Sequence, residues 1–173
     1  MHVSITDSNE PFYSAGFAVR FFKSDGTDWV GNFKEGWGKL RTVIELPDSN
    51  NLFVIACGIC YVMNPNETTP IDTFGVGFNN LLFIPNRGLV LYDDNCLEVL
   101  YNNGTRAPIS SNYWDGIKDV VIDGNILKGT TCDYTDVWTP FEYNIDTNEL
   151  KTIGGVWHYP NNVKPKFCWK FWK

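Results

Sequence analysis

The sequence contains few of the residues on which enzyme active sites and membrane anchors depend. It has 2 histidines among 173 residues, no Gly-x-Ser-x-Gly nucleophile turn and no glycine loop that opens a helix. No apolar run approaches the roughly 18 residues of a transmembrane helix. The N-terminal residues lack the basic and apolar regions of a secretory signal peptide. These absences argue against triad hydrolases and phosphate-loop enzymes, and they predict a cytoplasmic protein.

Cysteine occurs an odd number of times, 5, which predicts reduced thiols in a chain without a signal peptide. Cys57 and Cys60 have the spacing of a redox pair or of half a zinc site. A redox pair requires a helix N-terminus, and a zinc site requires two further ligands at matching spacing. The pair instead lies between two strand-like runs. We therefore expect structural cysteines, no metal and no cofactor.

The charge of the chain is unevenly distributed. It contains 20 acidic and 14 basic residues, a net charge of −6, and every acidic residue lies at or before Glu149. Residues 1–149 are therefore strongly acidic and residues 150–173 are basic. An acidic body argues against nucleic acid as a partner and suits a basic protein partner, although solubility alone also explains it.

Aromatic residues make up 16% of the chain, which favours β-structure because flat side chains pair across strands. Short apolar runs alternate with Asp, Asn and Gly turn-formers, and helical periodicity is almost absent. The length predicts one domain, residues 1–173. The predicted strands span residues 16–23, 29–33, 42–46, 52–57, 59–63, 74–78, 81–84, 89–92, 97–101, 118–122, 126–132, 139–144 and 150–153.

Three segments have the pattern of an antiparallel meander that ends in a polar turn, residues 42–65, 74–104 and 114–155. Units of this size resemble propeller blades, but three are too few for an ordinary closed ring. The sequence thus predicts an all-β antiparallel fold with little or no helix. It is either an open, blade-like stack or a twisted sandwich.

The third segment resembles a known group of proteins. Its motifs are Trp114-Asp115-Gly116, Trp138-Thr139-Pro140-Phe141-Glu142 and Gly154-Gly155. The same elements occur in the tail of a widespread group of small bacterial all-β proteins. The resemblance implies a shared fold and roles as immunity or accessory proteins. It implies no catalytic residues, because its motifs consist of turn glycines and aromatic side chains.

Two loops, residues 112–115 and 133–138, are the best candidates for a binding surface, because both combine aromatic side chains with carboxylates. Exposed aromatic anchors of this kind are typical of protein hot spots, and carboxylates attract a basic partner. Trp114 and Trp138 fit the core and the surface equally well. The predicted partner-binding residues are Tyr113, Trp114, Asp115, Asp133, Tyr134, Asp136 and Trp138.

The C-terminal residues 166–173 alternate aromatic with lysine or cysteine side chains, which predicts a strand with one aromatic face. Such a strand either covers the core, with lysines protecting its edge, or forms a cationic binding surface.

These observations favour a non-enzymatic bacterial binding protein, specifically an immunity-type protein that neutralises a cognate toxin by direct binding. The first alternative is a module that binds a carbohydrate or another small molecule on tryptophan side chains. The second is a hydrolase based on carboxylates, for which Asp93-Asp94 and the set Asp133, Asp136 and Glu142 are the candidates.

Overall fold

The computed structural model describes residues 1–6, 15–109, 115–132 and 136–152. This part of the chain contains 15 strands and no helix. The strands are β1 (His2–Ile5), β2 (Phe17–Phe22), β3 (Asp28–Phe33), β4 (Arg41–Leu46), β5 (Asn51–Ala56), β6 (Ile59–Met63), β7 (Asp72–Phe74), β8 (Asn80–Ile84), β9 (Gly88–Tyr92), β10 (Leu97–Tyr101), β11 (Arg106–Pro108), β12 (Gly116–Asp123), β13 (Ile126–Cys132), β14 (Trp138–Asn144) and β15 (Glu149–Thr152).

Three of the sheets in the described residues are four-stranded meanders whose strands follow chain order, β4 to β7, β8 to β11 and β12 to β15. A further sheet has the order β1-β3-β2, in which β1 runs parallel to β3 and β2 runs antiparallel to it. The predicted all-β fold with blade-like meanders is therefore confirmed. The described part of the chain also has no helix that is long and apolar enough to cross a membrane.

Tight turns between the strands follow from residues that accept positive φ. Cys57 and Gly58, with φ of 48° and 85°, join β5 to β6. Gly124, with φ of 60°, joins β12 to β13. Positive φ in a two-residue turn matches the twist of the paired strands, and glycine adopts it without strain. The same geometry occurs at the turn residues Asn50, Asn86 and Asn148.

The chain divides into two compact units, and the first contains Met1–Asn80 with Tyr101–Thr105. Its core lies between the β1-β3-β2 sheet and the β4–β7 sheet. Phe21 and Trp29 stack with ring centroids 4.3 Å apart, and Phe33 meets Tyr61 edge-on at 5.0 Å. The Trp29 indole N–H donates to the Pro65 carbonyl at 2.9 Å, so its polar atom is satisfied in the core.

The second unit contains Leu81–Leu100 and residues 106–173. It holds nearly all of the β8–β11 sheet and the whole of the β12–β15 sheet. Its buried side chains include Leu91, Val99, Leu127 and Phe141. Arg106 pairs with Glu98, a mostly buried carboxylate, across neighbouring strands. This division into units does not test the prediction that residues 1–173 form one domain, which stays a prediction.

The structure corrects the prediction for residues 74–78. They were expected to begin the second meander, but Phe74 ends β7, the last strand of the first meander. Gly75 follows with φ of 69°, which an extended strand does not allow. Two short strands, β1 and β11, were also missed. They have four and three residues, too few for an alternating pattern to be recognised.

Candidate functional site

The structure brings part of the predicted partner-binding surface together at one end of the β12–β15 sheet. The Asp115 backbone N–H donates to the Cys132 carbonyl at 2.7 Å, and Cys132 pairs across the strands with Trp138. Asp136 lies two residues before Trp138 and has φ of 58°. Both aspartates are exposed. The other predicted residues, Tyr113, Trp114, Asp133 and Tyr134, lie outside the described residues, as does the segment 166–173.

Trp138 lies at the surface, with 44% of it exposed, but much of its indole is already in contact with the protein. The Lys118 ammonium nitrogen lies 3.6 Å from the ring centroid, which is a close cation–π contact. The ring also lies over Gly116, where a β-carbon would come within 2.8 Å of it. A ligand could therefore stack on Trp138 only by displacing Lys118.

Trp37 is a more accessible aromatic side chain, and sequence reasoning missed it. It is 83% exposed, yet the backbone around it is fixed by three hydrogen bonds. Gly36 N–H donates to the Ala56 carbonyl at 3.0 Å and Trp37 N–H to the Val76 carbonyl at 2.8 Å. Gly38 N–H donates to the Cys57 carbonyl at 2.7 Å. The indole therefore projects into solvent from a rigid segment.

The two glycines that flank Trp37 are required by this packing. A β-carbon at Gly36 would overlap the Val76 carbonyl oxygen, and one at Gly38 would overlap the Phe78 carbonyl oxygen. Both obstacles are backbone atoms that cannot turn aside as a side chain could. The Gly-Trp-Gly triplet was the available signal in the sequence. The triplet is followed by strand β4 and not by a helix, so it does not have the structure of a phosphate-binding loop. It can still present an aromatic side chain to a ligand.

Charged and polar groups surround the Trp37 segment. The Arg41 guanidinium donates two hydrogen bonds to the Glu35 carboxylate, at 2.8 and 3.0 Å. Hydrogen bonding to Glu35, followed by electrostatic interactions with Cys57 and Glu35, raises the pKa of Arg41 above its ordinary value. On the other side, the Lys39 backbone N–H donates to the Asn79 side-chain oxygen at 2.9 Å. We name Glu35, Trp37, Lys39, Arg41 and Asn79 the Trp37 site.

The described residues contain no group of three or more His, Cys, Asp or Glu side chains that could hold a metal ion. One of the hydrolase candidates, Asp93, has a structural role. Its carboxylate accepts the backbone N–H groups of Asn95 at 2.8 Å and Cys96 at 2.7 Å. This is the geometry of a turn aspartate, and the turn joins β9 to β10.

No family model matches the chain, and no curated protein matches it. Among solved structures, the chain is similar to a provisionally assigned 6-phosphogluconolactonase from Bacteroides uniformis. The TM-score is 0.44 and the identity 19%, over 81% of this chain and 51% of that chain. The chain thus spans about half the length of the solved structure.

The comparison corrects one expectation. The prediction of an immunity-type protein that neutralises a toxin is wrong: a solved structure to which the chain is similar carries the name of a lactonase and not of an immunity protein. The identity and TM-score are too low to transfer any activity to this chain. The resemblance to small bacterial all-β proteins and the basic protein partner stay predictions.

Proposed function

We propose that this protein is a non-enzymatic binding protein that holds a saccharide against Trp37. The observation that carries the proposal is the exposed indole on a backbone fixed by three hydrogen bonds. A packed tryptophan buries about 150–250 Å², so at roughly 25 cal/mol per Å² an exposed one forgoes about 4–6 kcal/mol of hydrophobic stabilisation. A rigid segment that keeps such a side chain in water is well suited to binding.

A saccharide fits the groups around the indole. The apolar C–H face of a pyranose ring can stack on an aromatic ring, while its hydroxyl groups require donors and acceptors around the edge. Glu35, Arg41 and Asn79 supply both kinds of group. Two of these side chains, Glu35 and Arg41, hold each other in place. Because the backbone that carries the indole is fixed before the ligand arrives, binding requires no ordering of this backbone.

The proposal includes the cytoplasmic location expected from the sequence. The odd number of cysteines, 5, favours reduced thiols and therefore a reducing compartment. No acid–base step is required of the Trp37 site.

The test is affinity electrophoresis through gels that contain one soluble polysaccharide each: glycogen, xylan, a mixed-linkage β-glucan or polygalacturonate. We expect at least one of them to retard the parent protein, and Trp37→Ala to lose about tenfold or more in affinity, as expected for a central aromatic anchor. The matched control is Phe22→Ala, which removes another aromatic residue that is 67% exposed and should bind like the parent.

Two results would contradict the proposal. One is the absence of retardation in every gel. The other is a Trp37→Ala variant that remains folded by circular dichroism and binds as tightly as the parent.

A further inference from the structure

The Trp37 site has a local charge opposite to that of the whole chain. Residues 34–41 contain the three cations Lys34, Lys39 and Arg41 and the single carboxylate of Glu35, whereas the chain has a net charge of −6. Lys34, Lys39 and Arg41 are all exposed. An anionic ligand would be repelled by most of an acidic protein but attracted to this segment.

Arg41 has donors left for a ligand. Its Nε and one terminal nitrogen bind the two oxygens of Glu35, and the other terminal nitrogen takes no part in that contact. The side chain remains 53% exposed. A guanidinium whose plane is already fixed can bind a second carboxylate with a defined geometry.

Arg41 lies near the turn that fixes the backbone of the Trp37 segment. Its guanidinium also interacts with the Cys57 side chain, and the Cys57 carbonyl accepts the hydrogen bond from Gly38. The cation therefore lies at the turn that anchors the Trp37 segment. Lys39 follows Trp37 by two positions, on the same side along the chain as Arg41, and its backbone N–H donates to the Asn79 side chain.

We infer that the saccharide bound at the Trp37 site is acidic and carries the carboxylate of a uronic acid. This inference rests on the proposed function and specifies its ligand. The carboxylate of a uronic acid is attached directly to the sugar ring. A ring stacked on Trp37 can thus present it to Arg41 or Lys39 without a long linker.

The experiment measures binding of a galacturonate hexamer and of its methyl ester by isothermal titration calorimetry. The two ligands share their rings and differ in charge alone. We expect the free acid to bind about fivefold or more tightly than the ester at about 20 mM salt, and the difference to shrink at about 500 mM salt because of screening. Lys39→Gln should weaken binding of the acid by about two- to fivefold and leave the ester unchanged. The matched control, Lys151→Gln, removes an exposed lysine from another sheet and should change neither.

The outcomes separate this inference from the proposed function. Equal binding of acid and ester, lost in Trp37→Ala, overturns the inference and leaves the saccharide-binding function standing. Binding of the acid that survives Trp37→Ala overturns both, because the site is then elsewhere. A hexamer that carries sulfate esters and no uronic acid is a further ligand. If it binds more tightly than the galacturonate hexamer, the assignment of a carboxylate as the anionic group is overturned. Failure of both hexamers and of every neutral polysaccharide overturns the proposed function itself.

Discussion

At the scale of single residues, the position of Trp37 depends on two glycines that have no β-carbon. Gly36 and Gly38 lie against the backbone carbonyls of Val76 and Phe78. These contacts disfavour any other residue, because both carbonyls belong to the backbone between β7 and β8 and cannot turn aside as a side chain could. The stability of this segment and its ability to bind are therefore linked.

Gly38→Ala tests this link. The added methyl group would overlap the Phe78 carbonyl, so we expect the free energy of unfolding to fall by about 1–3 kcal/mol and saccharide affinity to fall as well. Urea unfolding and calorimetry provide the two measurements. Gly26→Ala is the control, since Gly26 has φ of 83° but open space around it. It should lose stability through backbone strain and retain full affinity. A Gly38→Ala variant as stable as the parent would show that the segment is not fixed.

A second prediction at the residue scale concerns pH. The Lys128 ammonium group donates to Asp123 at 2.6 Å, which lowers the pKa of Asp123 and raises that of Lys128. Asp123 stabilises the fold above its unfolded pKa of about 3.9, and this contribution is lost as the pH falls through the lowered folded value. Lys128 contributes below about 10.4, and this is lost as the pH rises through its raised value. Asp123→Asn should therefore be less stable than the parent at about pH 7.

The difference between Asp123→Asn and the parent should shrink as the pH falls through the lowered pKa of Asp123, because the carboxylate of the parent then becomes neutral as well. Both side chains are exposed to solvent, so the effect is small and requires unfolding midpoints measured in parallel. Asp48→Asn, at another exposed aspartate, is the control for the change in net charge. A pH-independent difference would mean that the ion pair is not its source.

At the scale of strands and turns, the sequence predicts much of this fold because its turns are built from residues with special backbone geometry. Strands β10 and β13 lie where the pattern predicts them, at 97–101 and 126–132. Each is flanked by turn-formers with distinct conformations. Strand β1 escaped prediction because its partner β3 is distant in sequence and its own four residues carry no clear alternation. The local sequence pattern is thus enough to predict antiparallel hairpins. The pairing of two parallel strands depends on contacts between residues that are distant in sequence.

The turn at Gly124 gives a prediction at this scale. Gly124 has φ of 60° and no atom within 4 Å of a β-carbon placed on it, so a side chain there meets backbone strain and no clash. We expect Gly124→Val to lower the free energy of unfolding by about 1–3 kcal/mol. Gly124→Asn, whose side chain tolerates positive φ, should cost less. Equal melting temperatures for the two variants would contradict a strained hairpin turn between β12 and β13.

At the scale of the whole molecule, the site was harder to predict than the fold. Trp138 was recognised because carboxylates and aromatic residues cluster around it in sequence. Trp37 was not, because its exposure and rigidity depend on Cys57, Val76 and Phe78, which lie roughly 20 to 40 positions away along the chain. The carbonyl groups that fix Gly36 and Gly38 leave no pattern in the residues that carry them. The Gly-Trp-Gly triplet alone therefore does not reveal that backbone contacts between distant segments hold an exposed indole here.

The metal content of the whole chain provides the last prediction. Cys57 and Cys60 have zinc-like spacing, but Cys57 occupies a hairpin turn and Cys60 is buried in β6. A structural zinc site requires four thiolate or imidazole ligands that converge on one point, and no such convergence occurs among the described residues. We expect elemental analysis of the purified protein to find well under one zinc per chain, and Cys57→Ser to leave the melting temperature unchanged in the presence of a chelator. About one zinc per chain, lost in Cys57→Ser together with thermal stability, would show instead that the pair binds metal with ligands from elsewhere in the chain.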